Sequence, residues 1–273
     1  MTEPHVVTDG HPPESIGLPG TLRAERRGHV AVLTLARPAK RNALNDETIL
    51  GIERFFTSLE PDVRAVVIAA DGDHFSAGLD LMEMGTRDTL AGVVHSRMWH
   101  RVFDLVENGA VPVVSALKGA VVGGGLELAA ATHIRVAERS TFYALPEGQR
   151  GIFVGGGAAV RVPRLIGVAR MTDLMLTGRR YDADEGAAFG LSQYVVPNGT
   201  GVAKALELAG LIAENAPQTN FAVLQALPRI AEANPREGYL MEALMSAITQ
   251  GTDDAKLRMR EFLDGRGAKV TDR

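Results

Sequence analysis

The sequence predicts an α/β core followed by a helical appendix, and three observations carry that prediction. Ala65 to Ala70 and Val111 to Leu117 are continuous apolar runs of strand length, the pattern of strands covered on both faces. Amphipathic stretches of helical period, such as Asp46 to Leu59 and Thr89 to Asn108, stand beside them. From Gly201 onward the pattern is almost purely helical. Strand–helix units followed by helices alone give an α/β body with an appended helical region. The expected division is a tail over 1–20, a core carrying the site over 21–200 and a helical region over 201–273.

The tail, Met1 to Gly20, is rich in proline and glycine and lacks the basic start and apolar block of a secretory signal. Leu22 to Arg27 alternates like a strand, and Gly28-His29 turns it into a more buried strand over His29 to Leu35. Arg37-Pro38 ends that hairpin, because proline cannot donate to a ladder. Asn45 or Asp46 is the expected N-cap of the next helix, whose face carries Ile49, Ile52, Phe55, Phe56 and Leu59. Further short strands are expected over Ile134 to Ala137, Thr141 to Ala144 and Leu191 to Val196. Helices are expected over Arg170 to Leu176 and Asp182 to Phe189. The tail helices are expected over Val202 to Asn215, Asn220 to Ala233, Pro235 to Thr249 and Asp253 to Leu263.

Composition narrows the function. Of 273 residues, 45% are hydrophobic and 23% charged, as in ordinary globular proteins, with a net charge of −4. The acidic balance weighs against nucleic acid and anionic membrane as partners. Cysteine is absent, which excludes disulfides, thiolate nucleophiles and cysteine metal sites and is compatible with a cytoplasmic setting. No apolar run approaches the ~20 residues of a membrane span. No G-x-G-x-x-G follows a strand, and there is no Walker-type phosphate loop, G-x-S-x-G elbow or H-E-x-x-H. The scattered histidines suggest no metal, and no cofactor is expected.

Four stretches could carry chemistry. Gly123-Gly124-Gly125 opens an alanine-rich helix with Glu127 in its first turn, which places backbone donors beside a carboxylate. Glu147 follows Pro146 in a loop. Ser76-Ala77-Gly78 sits where a buried strand ends, the place where α/β proteins build sites. Gly155-Gly156-Gly157 precedes another helix. Taken singly, each pattern is met equally by structure alone: a helix start with an early acid, a solvated loop acid, a tight turn and a flexible turn.

Together and in order they resemble a known family. Arg37-Pro38 with Asn42-Ala43-Leu44, Phe75-Ser76-Ala77-Gly78-Leu79-Asp80, Gly123-Gly124-Gly125-Leu126-Glu127, Leu145-Pro146-Glu147 with Gly151 and Gly155-Gly156-Gly157, and Leu176-Thr177-Gly178-Arg179 resemble the enoyl-CoA hydratase/isomerase (crotonase) family over roughly Leu22 to Arg266. The resemblance implies a spiral of β-β-α turns, with C-terminal helices that assemble a trimer or a dimer of trimers. It implies a substrate that is an acyl-CoA thioester, coenzyme A being part of the substrate. It further implies an oxyanion hole from the backbone N–H groups of Ala77 and Gly124. A Glu127/Glu147 pair would act on one water, with Glu147 giving a proton to C2 and Glu127 orienting and activating the water. Gly155 would shape the water site, and Arg23, Lys40, Arg266 and Lys269 are candidates for holding coenzyme A.

Retention of both glutamates favours a hydratase of acyl-CoA degradation (a hydro-lyase of the β-oxidation type). Isomerases of the family commonly work with one acid, at the position that Glu147 matches. The alternatives are therefore a double-bond isomerase and, from another class, a non-catalytic RNA- or protein-binding relative. The sequence departs from the family pattern at Val154-Gly155-Gly156-Gly157-Ala158, at Gly148-Gln149-Arg150 and at Asp264-Gly265-Arg266, which leaves the acyl group and the hold on coenzyme A open.

Overall fold

A computed structural model describes residues 16–83 and 88–266. Its described residues divide into two units, 16–213 and 214–266.

The first unit is built on a six-stranded sheet. Its strands are β1 (Leu22–Arg27), β2 (Val30–Leu35), β3 (Ala65–Ala70), β4 (Val113–Leu117), β6 (Ile134–Glu138) and β9 (Tyr194–Val196), in the spatial order β1-β2-β3-β4-β6-β9. Only β1 and β2 run antiparallel, as the Gly28 turn predicts, and every other pair is parallel. A second sheet holds β5 (Ala120–Val122), β7 (Phe142–Ala144) and β8 (Tyr181–Asp182), in the order β5-β7-β8. β5 and β8 were not expected from the sequence, since three and two residues are too short to show a period.

The helices of this unit are α1 (Asp46–Thr57), α2 (Thr89–Glu107), α3 (Gly124–Ala131), α4 (Ala158–Ile166), α5 (Val168–Thr177), α6 (Ala183–Phe189) and α7 (Gly201–Ala213). Asn45 caps α1 by accepting the Thr48 N–H at 3.0 Å, as predicted. Asp182 and Glu185 form a reciprocal capping box on α6.

The pleat of the large sheet explains two separate cores. Leu33, Leu35, Val66 and Ile68 pack on one face with Ile49, Ile52 and Phe55 of α1, Val102, Phe103 and Val106 of α2, and Leu126 and Leu128 of α3. Their alternating neighbours Val32, Val67, Val114 and Val136 face Ala205, Leu208, Ala209 and Ala213 of α7. This corrects the boundary expected at 200: α7 completes the sheet's second face and belongs to the core unit.

The tail boundary shifts as well. Residues 1–15 lie outside the described ones, but residues 16–20 are docked. Gly17 O accepts from Arg54, Leu22 N–H donates to Pro19 O at 2.9 Å, and Leu18 packs on the core.

The second unit contains α8 (Pro217–Phe221), α9 (Leu227–Glu232), α10 (Pro235–Gln250) and α11 (Asp253–Leu263). The single helix expected over Asn220 to Ala233 is interrupted by one π-helical turn at Ala222–Ala226. Pro228 stands two residues after its end; it lacks an N–H and crowds the carbonyl one turn back, which accounts for the change in pitch. Asn234 and Thr252 cap α10 and α11. Among the described residues no helix is long and apolar enough to cross a membrane.

Candidate active site

The chain leaves β4, passes Lys118-Gly119, pairs β5 with β7 and turns at Gly123 into α3. Gly123 has φ +53° and ψ −123°, a conformation closed to residues with a Cβ, and its N–H donates to Ala144 O at 3.0 Å. That bond ties the start of α3 to the end of β7, from which the Pro146–Arg150 turn carries Glu147. The two glutamates, distant in the expected helix and loop, are thereby brought to one place.

Glu127 is 4% exposed. Its Oε1 accepts the N–H groups of Gly156 and Ala158 at 2.7 and 3.1 Å. Burial pushes its carboxyl above the ordinary range, while these N–H groups and the charge of Arg161 pull in the opposite direction. Glu147 is half-buried on its turn. Its Oε1 lies 2.7 Å from where a Cβ on Gly123 would stand, and its Oε2 is buried without a hydrogen-bond partner among the described residues. Burial pushes the Glu147 carboxyl up to about 7, its own backbone N–H tempers the shift, and the negative charge of Glu127 adds to it.

Two backbone donors face each other nearby. Gly124 is the first residue of α3, and the helical ladder begins only with Glu127 N–H to Gly123 O at 3.0 Å, so the Gly124 N–H precedes it. The second donor is not the expected one. Ala77 gives its N–H to Arg41 O at 2.9 Å and is committed there. The amide nitrogen beside Gly124 is that of Leu79, 3.3 Å from where a Gly124 Cβ would stand.

The cause is a parallel bridge between Leu44 and Leu79. Leu44 N–H donates to Gly78 O and Asp80 N–H to Leu44 O, both at 2.8 Å, so the groups flanking Leu79 are used. Its own N–H is turned to the other side and has no partner among the described residues. Gly78, at φ +90°, permits this approach, since a Cβ there would stand 2.6 Å from Val122 O. Asn42 holds the loop in place: its side chain accepts from Arg37 N–H and donates to Asp71 O and His74 O.

A cavity of about 580 Å³ opens beside these groups. Glu127, Leu79 and Trp99 line it, with the α2 face at Val93 and His100 and the loop Ile152 to Gly156. The lining includes Glu127 but not Glu147, whose Oε1 lies against Gly123. Trp99 packs its six-membered ring against Gly124 and Gly156; a Cβ on either would lie 2.8 and 3.0 Å from its carbons. Gly155 is in the cavity wall, and the amides that touch Glu127 come from the residues after it.

Arg23 is paired with Asp71 through bonds of 2.8 and 3.1 Å, so its use for a phosphate requires that pair to open. Lys40 is exposed on the Pro38–Lys40 turn, Arg266 pairs with Asp264 in the second unit, and Lys269 lies outside the described residues.

Sequence reasoning missed Leu79, Trp99, Gly156 and Ala158. The one available signal was the glycine before Leu79, because a reversed backbone there redirects the next amide.

The enoyl-CoA hydratase/isomerase family profile matches residues 25–273. Enoyl-CoA hydratase EchA19 of Mycobacterium tuberculosis is 32% identical over 91% of this chain and 96% of its own length. A short-chain-enoyl-CoA hydratase of Clostridium acetobutylicum is 32% identical over 89% and 94%. A solved chain from Rhodopseudomonas palustris, carrying a provisional enoyl-CoA hydratase name, superposes with a TM-score of 0.89 at 60% identity, covering 90% of this chain and 95% of that one. These likenesses along nearly the whole length place the chain in the enoyl-CoA hydratase/isomerase family, with the crotonase fold.

Proposed function

We propose that the chain adds water across the 2,3 double bond of a 2-enoyl-CoA thioester. The observation that carries this reading is the carboxyl pair. Burial holds Glu147 protonated up to about pH 7, while Glu127 is met by two N–H groups that suit its ionised form. In this assignment the thioester oxygen accepts from Leu79 and Gly124. Glu127 orients a water and takes its proton as the oxygen bonds to C3. The π electrons move toward the thioester, and the negative charge rests on the oxygen held by the two amides. Glu147 then protonates C2, and the pair again holds one proton. Losing one such amide typically costs about 10²–10³ in rate.

Turnover of a panel of 2-enoyl-CoA esters of increasing chain length, followed by loss of the conjugated-thioester absorbance, tests reaction and acyl size together. Hydration is expected, and it is expected to be lost in Glu147→Gln; full activity in that variant overturns the assignment. A double-bond isomerase is the second reading, favoured by the unpartnered Oε2 of Glu147, which alone could move a proton between carbons. It predicts turnover of a 3-enoyl-CoA that survives Glu127→Gln. Degradation of acyl-CoA is the matching role, and a trimer or dimer of trimers the matching assembly. Exposed Leu240, Leu244, Ile248, Leu257 and Phe262 on α10 and α11 support assembly, which light scattering on the intact chain tests.

A further inference from the structure

The peptide between Gly156 and Gly157 stands between a carboxylate and a guanidinium. Its own N–H, that of Gly157, is directed at Glu127, and the N–H groups of Gly156 and Ala158, in the peptides before and after it, donate to Glu127 Oε1 at 2.7 and 3.1 Å. On its carbonyl side Arg161 Nη1 donates to Gly156 O at 3.1 Å. The Gly156 carbonyl and the Gly157 N–H belong to one peptide unit, so its positive end meets Glu127 and its negative end meets Arg161. Arg161 is 8% exposed and does not line the cavity. Its Nε donates to Glu107 Oε2 at 2.6 Å, at the end of α2. Gly157 has φ +110°, and a Cβ there would collide with Arg161 Nη1, so the turn is shaped around the guanidinium.

We propose that Arg161, held by Glu107, is a positioning residue for Glu127: it clamps the Gly156 carbonyl in the turn whose N–H groups fix that carboxylate, and it sets the positive field in which the carboxylate works. This rests on the reading of Glu127 as the water-orienting group. The charged and titratable groups around Glu127 are few. Glu147 faces it from the Pro146–Arg150 turn and Arg161 from α4. α2 brings His100, whose charged form is disfavoured by burial and by Arg97 and Arg161, with His95 paired to Asp46 and Glu107 paired to Arg161. β5 brings none.

The two partners make opposite predictions. Arg161→Gln removes the cation and loosens the clamp, so Glu127 should ionise at higher pH. Glu107→Gln leaves the guanidinium on Gly156 and strips its counter-charge, so Glu127 should ionise at lower pH. A packing role alone would move neither midpoint, or both in one direction.

Trp99 is the single tryptophan of the chain. Its Cε3 and Glu127 Oε2 lie 3.0 and 2.7 Å from the same point, where a Gly156 Cβ would stand. Its fluorescence can therefore follow the ionisation of Glu127 without substrate. The titration is run in a Glu147→Gln background, with Glu127→Gln in that background as the control that must abolish the transition. Arg161→Gln is expected to raise the midpoint by about one pH unit, and Glu107→Gln to lower it by a smaller amount. In turnover, Arg161→Gln is expected to cut kcat about 10- to 100-fold with little change in KM, and Arg161→Lys to restore part of it.

Unmoved midpoints, midpoints moving the same way, a parent without a Glu127-dependent transition, or a loss carried by KM overturns the proposal. If Arg161→Gln fails to fold by circular dichroism, the direction taken by Glu107→Gln decides. The titration needs no turnover. A chain that hydrates no 2-enoyl-CoA yet shows opposed midpoints loses the hydratase assignment and keeps this one.

Discussion

Glu127 and Glu147 are both carboxyl groups set against glycine backbone, yet the chain holds them in opposite ways. Glu127 stands in the first turn of α3, with one oxygen fixed by the N–H groups of Gly156 and Ala158. Glu147 stands on a short turn, half-buried, with one oxygen that has no partner among the described residues. Burial raises both carboxyls above the ordinary range, but two N–H groups and Arg161 oppose that shift at Glu127, whereas at Glu147 its own backbone N–H opposes it and the charge of Glu127 adds to it. In the proposed hydration these surroundings would suit Glu127 to orient water as the base and Glu147 to give up a proton as the acid.

The largest expected effects come from removing either carboxyl. Glu147→Gln should lower kcat for hydration by about 10³–10⁴, and Glu127→Gln by about 10²–10³, with smaller changes in KM. Steady-state kinetics on a 2-enoyl-CoA checks both. Equal losses would collapse the division of labour into a single shared function. The pH profile sharpens it. A carboxyl held at about 7 is protonated below that value and ionised above it, so the donor form fades as pH rises. In wild type, kcat/KM for hydration should fall on the alkaline side with a midpoint near 7, and a flat profile from pH 6 to 9 would break the assignment of Glu147 as acid.

The next test exchanges the glycine that abuts each carboxylate. In Gly156→Ala, a Cβ would stand 2.7 Å from Glu127 Oε2 and 3.0 Å from Trp99 Cε3. A carboxylate end can swing aside, so the variant should fold, but its tether would be disturbed. The expected result is a fall in kcat of about 10- to 100-fold with altered Trp99 fluorescence. In Gly123→Ala the new Cβ would stand 2.7 Å from Glu147 Oε1, and the backbone is at φ +53° besides. That variant should lose thermal stability as well as activity. Two variants with the same loss of stability would show that the site glycines serve the fold alone.

The sequence made some of this legible and hid the rest for identifiable reasons. Apolar runs announced β3 and β4, and amphipathic spacing announced α1 and α2, because burial on one face leaves a period in the chain. The glutamates were legible only through five ordered motifs, since an early helix acid and a loop acid carry no chemistry by themselves. Leu79 was hidden, and Ala77 taken in its place, because the direction of an amide there depends on pairing with Leu44, 35 positions away in the chain. The hold of Gly156 and Ala158 on Glu127 was hidden for the same reason: backbone donors have no side-chain signature. The assignment of α7 to the core depended on which face of the sheet lacked a partner, and that is visible only once β2, β3, β4 and β6 are side by side.

The smallest expected effect concerns stability, and it follows from the same difference between the carboxyls. A Glu carboxyl near 4.5 in the unfolded chain and about 7 when folded makes the folded state bind more protons between those values. Its contribution to stability is therefore complete at low pH and is lost as pH rises through about 7, the reverse of an ion-paired acid. Glu147→Gln carries no charge at any pH and escapes that loss. Its melting temperature should exceed that of wild type by about 2–4 °C at pH 8, where ~1 kcal/mol gives such a shift in a chain of this size. Solvent screening at a half-buried site keeps the figure small. The advantage should shrink toward pH 5, where the wild-type group is already neutral. Glu127→Gln differs, because a neutral amide would present one nitrogen and one oxygen to donors arranged for a carboxylate. It should gain less at pH 8 or lose stability outright, and thermal melts of the two variants at pH 5 and 8 would show whether the tethered and the untethered carboxyl differ in energy as they do in geometry.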